Sequence, residues 1–258
     1  MPLFQLKGRW PDFLVIGAQR CGTTTFFHYL SQHPRIIMPP VKEVHFFDVH
    51  YAKGTAWYRS LFPNRLTSWG KVTGEASPYY LFHPLAPLRV AALLPNVKLI
   101  LLLRDPVDRA FSQFHHERKR GFEPLTSFEE AIRMEPVRTA GEEERLTVDE
   151  QATSDSFRHQ AYLARGLYFR QIQRWLRYFK RSQMLFLKSE DLYQDPAGTL
   201  KRTHAFLGVP HRVPGDLSAR NGNSYAQMDP ALRQELRRWF EEDSRQLAEL
   251  LGPHFTWK

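Results

Sequence analysis

The distribution of apolar positions predicts strands that alternate with helices. Residues 13–16 form a short apolar run that ends at Gly17, and apolar side chains then recur at helical spacing over residues 26–30. Residues 97–103 are almost continuously apolar, which is typical of a parallel strand covered on both faces, and residues 184–187 form a third run. This alternation predicts an α/β fold in which helices flank a central parallel sheet.

Polar positions between these runs indicate where helices begin. Asp105 follows the second run and can cap a helix that begins with Pro106, because proline at the first position loses no intrahelical hydrogen bond. That helix would carry Arg109 and Ser112. A final helix is expected from about residue 230 to 251. A long amphipathic helix precedes the third run, and its apolar face consists of Tyr168, Ile172, Trp175, Leu176 and Phe179.

Residues 135–156 depart from this pattern because they are rich in Glu, Asp, Ser and Thr and contain few large apolar side chains. We expect a mobile surface loop there, which either borders the acceptor site or is a plain surface excursion. Because no repeat, low-complexity tract or linker divides the 258 residues, we expect residues 1–258 to form a single domain.

Composition narrows the classes of partner and compartment. The chain has 36 Lys and Arg against 27 Asp and Glu, and its formal charge of +9 favours anionic partners without choosing among them. The single cysteine, Cys21, excludes an internal disulfide and a zinc site built from cysteines. Residues 1–10 lack the apolar stretch of a signal peptide, and no run approaches the roughly 20 apolar residues of a membrane span. We therefore expect a cytoplasmic protein, although an enzyme trimmed of a membrane anchor would show the same pattern.

The segment between the first strand and its helix has the features of an anion-binding loop. Backbone N–H groups and the positive end of the helix dipole converge on an anion at such a turn. Gly22 permits close approach of the backbone, residues 23–25 add threonine hydroxyls, and Arg20 adds a charge. A P-loop nucleotide-binding protein requires Lys directly after the glycine. Because Thr23 stands there, the loop argues against ATP or GTP.

The spacing of this loop resembles the phosphosulfate-binding loop of sulfotransferases that use 3′-phosphoadenosine 5′-phosphosulfate (PAPS). Further motifs are similar to those of the heparan sulfate sulfotransferases and their bacterial relatives. They follow in order along nearly the whole chain: Lys42–Asp48, Gly54–Tyr58, Glu75–Tyr80, Arg104–Ser112, Leu167–Leu176 and Gln227–Pro230. The resemblance implies a P-loop-like α/β domain that transfers a sulfonyl group from PAPS to an acceptor hydroxyl or amine, releases adenosine 3′,5′-bisphosphate (PAP) and needs no metal.

The resemblance also assigns residues to the cofactor. Arg104, at the end of the central strand, and Ser112, on the following helix, match the residues that hold the 3′-phosphate, where a guanidinium offers permanent bidentate charge. Tyr168 is assigned to the cofactor as well. Residues 220–223 replace a loop that closes over the 3′-phosphate, although an Asn-Gly pair also forms ordinary turns. The remaining assignments are Arg20, Cys21, Gly22, Thr23, Thr24 and Thr25 for the phosphosulfate, and Arg220, Asn221, Gly222 and Asn223 for that loop.

Three residues are candidates for the chemistry. Arg20 would offset the charge that builds on the bridging oxygen of the departing nucleotide. The family usually has Lys at this position, and Arg does not readily donate a proton. Glu43 matches the family's general base. His45 would lie on the same side as Glu43 in an extended segment, and it could be the base in place of Glu43 or could orient the acceptor.

The acceptor side departs from the family at one position. A lysine that follows the glutamate of the Glu75 motif in the family is Ala76 here, so one cation is missing. Residues 118–120 (Arg118, Lys119 and Arg120) could engage an acidic acceptor or form a solvated helix face. His115 and His116 are expected at the surface.

Two other functions compete with sulfonyl transfer. A P-loop small-molecule kinase would require Mg²⁺ and a loop lysine, and the loop has no such lysine. A non-catalytic binder of nucleic acid or acidic glycan would use the +9 charge, but the sequence has no recognition-helix or RNA-binding signature. For a sulfotransferase the acceptor stays open among a glycan, a small metabolite and a carrier-bound chain.

Overall fold

The computed structural model describes residues 8–220 and 227–257, and the strands within these ranges form one parallel sheet. The strand order of this five-stranded sheet is β2-β3-β1-β4-β5. The parallel α/β fold is confirmed, and the three apolar runs are confirmed as β1, β4 and β5. The bounds of the strands are Phe13–Gly17 for β1, Ile36–Ile37 for β2, Val72–Ala76 for β3, Lys98–Leu103 for β4 and Met184–Lys188 for β5.

The centre of the sheet is β1. Val15 pairs with Ala76 of β3 on one side and with Ile100 of β4 on the other. All five residues of β1 are buried, as the continuous apolar run predicts. Because the pairing is parallel throughout, the carboxyl ends of the strands lie along one edge, where open α/β sheets bind their ligands.

The sequence pattern missed β3. Its residues include Thr73, Gly74 and Glu75, which do not form an apolar run. Gly74 is required because an added Cβ would lie 2.4 Å from the ring of Phe13 in the neighbouring strand. The strand is thus selected by its fit against β1 rather than by its own hydrophobicity.

Helices connect the strands and cover the sheet. Asp105 caps the helix after β4, accepting hydrogen bonds from the N–H groups of Val107 and Asp108, and Pro106 is its first residue, as predicted. No helix within the described residues has the length and apolar composition to span a bilayer. The helices are α1 (Thr23–Ser31), α2 (Gly54–Ser60), α3 (Ala86–Leu93), α4 (Pro106–Lys119), α5 (Phe128–Thr139), α6 (Glu142–Val148), α7 (Tyr168–Leu176), α8 (Ser189–Gln194), α9 (Pro196–Leu207) and α10 (Pro230–Leu251).

The loop predicted for residues 135–156 is wrong over much of its length, because α5 continues to Thr139 and α6 covers residues 142–148. Glu135 is buried, and its carboxylate accepts hydrogen bonds from the N–H groups of Leu163 and Ala164. The acidic residues that suggested a loop lie in the first turn of α6, where the helix dipole favours negative charge. Leu146 packs into a buried aromatic cluster and fixes α6 against the rest of the molecule.

Candidate active site

A cleft of about 500 Å³ opens at the carboxyl edge of the sheet. Its walls come from segments that directly follow strands. Residues 19, 20 and 22–24 follow β1, Arg104 follows β4, and residues 189, 190, 193 and 194 follow β5. Five further lining residues bear on the chemistry: Glu43, Ser112, His116, Arg120 and Arg220. The predicted anion-binding loop and the predicted base therefore face the same space.

The anion-binding loop, residues 17–25, turns from β1 into α1. Gly22 is the N-cap of α1 and adopts a left-handed conformation with φ of 82°. A Cβ on Gly22 would also approach both Leu192 and the hydroxyl of Tyr193 to 3.1 Å, so only glycine fits without strain. Because the first N–H groups of a helix have no partner within the helix, the loop offers donors to an anion beside Thr23 and Thr24.

Two residues assigned to the cofactor lie beneath the loop and do not line the cleft. Cys21 is fully buried, and its sulfur lies 3.6 Å from the hydroxyl of Tyr168. Burial raises the pKa of the Cys21 thiol, which is therefore protonated at neutral pH. The Tyr168 hydroxyl donates to the carbonyl oxygen of Arg104 at 3.0 Å. In this structure both side chains support the backbone of the loop and of the β4 end.

Arg20, Arg104 and Ser112 come together as predicted. The Nε atom of Arg20 donates to the hydroxyl of Ser112 at 3.0 Å, and an Nη atom of Arg104 donates to the carbonyl of Arg20 at 3.4 Å. The other end of the Arg20 guanidinium lies 3.3 Å from Nδ1 of His116. Guanidinium and hydroxyl donors are thus gathered within one small region of the cleft.

Arg220 is hydrogen-bonded to α1 through the side chain of Thr25. The hydroxyl of Thr25 accepts from the N–H of Arg220 at 2.9 Å and donates to its carbonyl at 3.2 Å. The Arg220 side chain reaches the cleft and pairs with Asp216 at 2.7 Å. Thr25 is fully buried and so acts on the cleft through Arg220. The other members assigned to this loop, Asn221, Gly222 and Asn223, lie outside the described residues.

The base segment, residues 42–48, is not extended, contrary to the geometry from which His45 was predicted to share a side with Glu43. Glu43 and His45 both have left-handed backbones, with φ of 65° and 53°. The turn nevertheless brings Nε2 of His45 to 3.4 Å from the Glu43 carboxylate. Nδ1 of His45 lies 2.8 Å from the buried Asp48 carboxylate, and Lys42 donates to Glu43.

These contacts set the charges of the base segment. Burial opposes ionisation of Glu43, but hydrogen bonds from His45 and Lys42 outweigh it and hold the pKa of Glu43 below its usual range. Burial lowers the pKa of His45, but Asp48 and Glu43 outweigh it and raise that pKa to about 9. Glu43 is 43% exposed and lines the cleft, whereas His45 stands behind it.

A buried carboxyl group from β3 holds the base segment in place. Glu75 is fully buried and accepts from the hydroxyls of Tyr58, Ser77 and Tyr80 at 3.1, 2.7 and 2.7 Å. Ser77 in turn accepts from the N–H of His45, and Tyr80 accepts from the next N–H along the chain. Burial raises the pKa of Glu75 to about 7 despite the three donors.

Sequence reasoning missed several lining residues. His116, expected at the surface, lines the cleft, and burial together with Arg20 lowers the pKa of its imidazole. Glu190 and Tyr193 follow β5, and the rule that places ligands at the carboxyl ends of parallel strands would have found them had it been applied to the third run. Gln19 lines the cleft and donates to the buried Glu117 at 2.9 Å, a contact that no local pattern indicates.

The donor set suits a doubly phosphorylated nucleotide. Among the described residues, Arg20, Arg104, Arg120 and Arg220 line the cleft together with the threonine hydroxyls. Two of the carboxylates there already accept other bonds, since Arg233 donates to Asp108 and the N–H of Asp105 donates to Glu190. Within residues 8–220 and 227–257, no three His, Cys, Asp or Glu side chains are grouped so as to hold a metal ion.

Comparisons with known proteins agree with this geometry. A family model for the sulfotransferase domain matches residues 10–228. The human heparan sulfate glucosamine 3-O-sulfotransferase 6 is 30% identical over 277 residues, which cover 97% of this chain and 75% of that protein. The membrane-associated sulfotransferase kil1 of Dictyostelium discoideum is 29% identical over 96% of this chain, and the match spans 66% of its length. A sulfotransferase crystal structure from Alicyclobacillus acidocaldarius superposes with a TM-score of 0.75, at 34% identity over 94% of this chain and 96% of that one.

Proposed function

Because the chain belongs to the sulfotransferase domain family, we propose that it transfers a sulfonyl group from PAPS to a hydroxyl or amine of an acceptor. The observation that carries the proposal is the single cleft that joins the anion-binding loop, Arg104 and Ser112 to the Glu43 carboxylate. Anion donors and a candidate base in one space are what an in-line sulfonyl transfer needs.

PAPS supplies an activated sulfonyl group when it is bound. Arg104 and Ser112 would hold its 3′-phosphate, and the N–H groups and hydroxyls beside Thr23 and Thr24 would hold the phosphosulfate. Arg20 lies beside Ser112 and His116, where its charge would offset the negative charge that builds on the leaving oxygen. A guanidinium does not readily donate a proton, so the role of Arg20 is electrostatic.

Glu43 is the residue of the base segment that lines the cleft. Its low pKa leaves it ionised at neutral pH and able to accept a proton. His45 contacts the same carboxylate and supports it from behind. We assign Glu43 as the group that meets the acceptor and His45 as its partner.

A carbohydrate is the acceptor class that we propose. Curated relatives are named as heparan sulfate glucosamine 3-O-sulfotransferases. Arg120 lines the cleft and is 45% exposed at its side chain, so it offers a cation to an acidic chain. Ala76 is buried, so the missing family lysine leaves no open surface at that position.

The proposal is tested by a thermal-shift screen with three probes: PAP without metal, ATP with Mg²⁺, and heparin. Sulfonyl transfer predicts that PAP stabilises the protein in the presence of a chelator. Stabilisation by ATP and Mg²⁺ alone would indicate a kinase, and stabilisation by heparin alone would indicate a polyanion binder. Transfer of label from sulfur-labelled PAPS to heparan sulfate then tests the reaction and the acceptor class together.

A further inference from the structure

The side chains of Glu43 and Arg158 both contact Nε2 of His45. Nδ1 of His45 faces the Asp48 carboxylate at 2.8 Å. Nε2 faces an oxygen of Glu43 at 3.4 Å and also an Nη atom of Arg158 at 3.1 Å. His45 itself is 8% exposed, so water offers little compensation for a poor contact at this atom.

The two partners of Nε2 demand opposite protonation states. A guanidinium carries donors only, so a hydrogen bond from Arg158 requires a lone pair on Nε2. A carboxylate carries acceptors only, so a hydrogen bond to Glu43 requires a proton on Nε2. With Nδ1 directed at Asp48, the first state is a neutral imidazole and the second is an imidazolium.

Arg158 is held in place by its neighbours on both sides. It lies in the short helical turn Ser156–Gln160, and Arg165 donates to its carbonyl oxygen at 2.6 Å. Phe157 stacks on Phe82 with ring centroids 4.3 Å apart. On the other side His159 lies 3.0 Å from the buried Glu117. The guanidinium is therefore presented to His45 by a fixed turn.

We propose that Arg158 is a positioning residue that favours the neutral form of His45, so that the Glu43–His45 pair can take the acceptor's proton. The proposal rests on the proposed sulfonyl transfer, because it assigns a role within that reaction. In the transfer the acceptor oxygen forms a bond to sulfur, and the bond from sulfur to the nucleotide's bridging oxygen breaks with its electron pair. The acceptor's proton passes to Glu43 and then to Nε2 of His45. The new N–H group of His45 donates to Glu43, and the hydrogen bond from Arg158 to Nε2 is lost.

The charged and titratable groups around His45 give the direction of the effect. Asp48, Glu43 and His50 come from its own part of the chain, and Arg158 comes from the turn. Asp48 also faces His83, which burial keeps neutral by lowering its pKa to about 4. Asp48 and Glu43 hold the proton on His45 and keep its pKa at about 9, so the neutral form is the minor one at pH 7.5, and the Arg158 charge increases its share. Removing the Arg158 charge should therefore raise the pKa of His45.

The first test needs no acceptor. The imidazole resonances of His45, assigned with His45→Gln, are titrated by NMR in the PAP-bound protein. Arg158→Gln should raise the pKa of His45 by roughly one unit, the usual effect of a close charge, while Arg158→Lys should stay near the wild-type value. Arg158→Met is a second neutral variant if the first does not fold, since the backbone contact with Arg165 is retained.

The control is Arg133→Gln, which removes an arginine that is 70% exposed on α5. It should leave the titration of His45 unchanged. Equal His45 pKa values in the wild type and the neutral Arg158 variants would overturn the role of Arg158. This readout does not depend on turnover, so it is distinct from a failure of sulfonyl transfer, which would show as absent PAP binding.

The second test uses heparan sulfate as acceptor and sulfur-labelled PAPS as donor. For Arg158→Gln the rise of kcat with pH should move upward by about one unit, and kcat at pH 7.5 should fall about tenfold. The KM for PAPS should be unchanged. A fall in kcat that is equal at all pH values would assign Arg158 a merely structural role and contradict the proposal.

Discussion

The anion-binding loop and the base segment border the same cleft, yet they are built by different means. The loop lies at the junction of β1 and α1, and its donors are directed by the backbone of regular elements. The base segment has no regular structure, and both Glu43 and His45 adopt left-handed backbones, whereas Arg20 is the one such non-glycine residue in the loop. Its conformation is held by side chains from elsewhere, above all by the buried Glu75.

This difference indicates how sensitive the anion-binding loop and the base segment should be to substitution. Backbone donors at a helix N-terminus persist when one side chain is replaced, so the loop should tolerate substitutions with graded losses except at Gly22 and Arg20, whose backbones are left-handed. A left-handed backbone at a non-glycine residue costs about 1–3 kcal/mol and persists only when its surroundings enforce it. The base segment should therefore respond sharply to changes in the groups that hold it.

The largest effect is expected at the residue that performs chemistry. Glu43→Gln keeps the shape of the side chain and removes the base, so kcat should fall by roughly 10²–10⁴-fold. PAP affinity should be retained, because the loop does not depend on this carboxylate. The measurements are transfer of label from PAPS and calorimetric PAP binding. Near-normal kcat in Glu43→Gln, together with an inactive His45→Ala that still binds PAP, would move the base role to His45.

Arg20→Ala is the counterpart from the loop. Its guanidinium faces the leaving oxygen in our assignment, so kcat should fall by roughly 10²–10³-fold. PAPS affinity should fall as well, because the same charge contacts the bound nucleotide. A variant that loses kcat and keeps full PAPS affinity would separate Arg20 from the phosphosulfate and weaken the contrast with Glu43.

A substitution of Glu75 tests the group that holds the base segment in place, through the pH dependence of the free energy of unfolding. Its pKa is about 7 in the folded protein against an ordinary value of 4.5, so between these values the folded state binds more protons. The contribution of Glu75 to the free energy of unfolding should then fall by about 3 kcal/mol as pH rises from 4.5 through 7, while a buried neutral histidine such as His83 contributes with the opposite sign in both proteins. Glu75→Gln should lack this fall in urea unfolding curves.

The control for that experiment is Glu129→Gln, since the Glu129 side chain is 60% exposed on α5. It should keep the wild-type pH dependence. A Glu75→Gln protein whose stability depends on pH between 4.5 and 7 in the same way as the wild type would show that the buried carboxyl group is not the titrating one.

A substitution of Arg104 tests the part of the cleft beside the anion-binding loop, through the stability that PAP adds to the folded protein. PAP at a concentration of 100 times its Kd should stabilise the wild type by about 2.7 kcal/mol without metal. Arg104→Ala should lose most of this gain, whereas Glu43→Gln should keep it. Arg177→Ala, which removes an exposed arginine just beyond α7, is the matched control. An unchanged PAP shift in Arg104→Ala would remove this residue from the 3′-phosphate site.

The smallest effect is expected at Thr25. Thr25→Val keeps the volume and deletes two hydrogen bonds to the backbone of Arg220, so PAP affinity should fall by about fivefold, or about 1 kcal/mol. Thr203→Val is the control, because the buried Thr203 hydroxyl donates to the carbonyl oxygen of Thr199 in the same helix, α9. Equal losses of PAP affinity in both variants would show that the attachment of Arg220 does not matter.

The predictable part of the site was the part that lies on regular elements. Arg104 and Ser112 were assigned through the family resemblance, at positions that the apolar run of β4 and the Asp105 cap put at the end of a strand and on the next helix. The structure brings them beside Arg20. Glu43 and His45 were found through the family motif, and the extended geometry expected for them was wrong. His116 was missed because its exposure depends on how α4 lies against the loop.

The segment 135–156 illustrates the same limit in the fold. Its acidic composition predicted a loop, yet Glu135 is buried because backbone N–H groups from residues 163 and 164 meet its carboxylate. A local pattern cannot show that a charged side chain has distant partners. Similarly, β3 carries Gly74 for contact with Phe13, which is visible only once the strands pair.

The sequence by itself determined the parallel α/β fold, the anion-binding loop, its lack of the nucleotide-kinase lysine, and the family. Hydrophobic period, capping and turn residues act over a few neighbouring positions, so a linear pattern contains them. Only the tertiary structure decided the charge of the base segment, since it depends on Asp48, Glu75 and Arg158 meeting residues 43–45 across short distances in a buried space. Burial and distant charges set pKa values, and neither is encoded in adjacent residues.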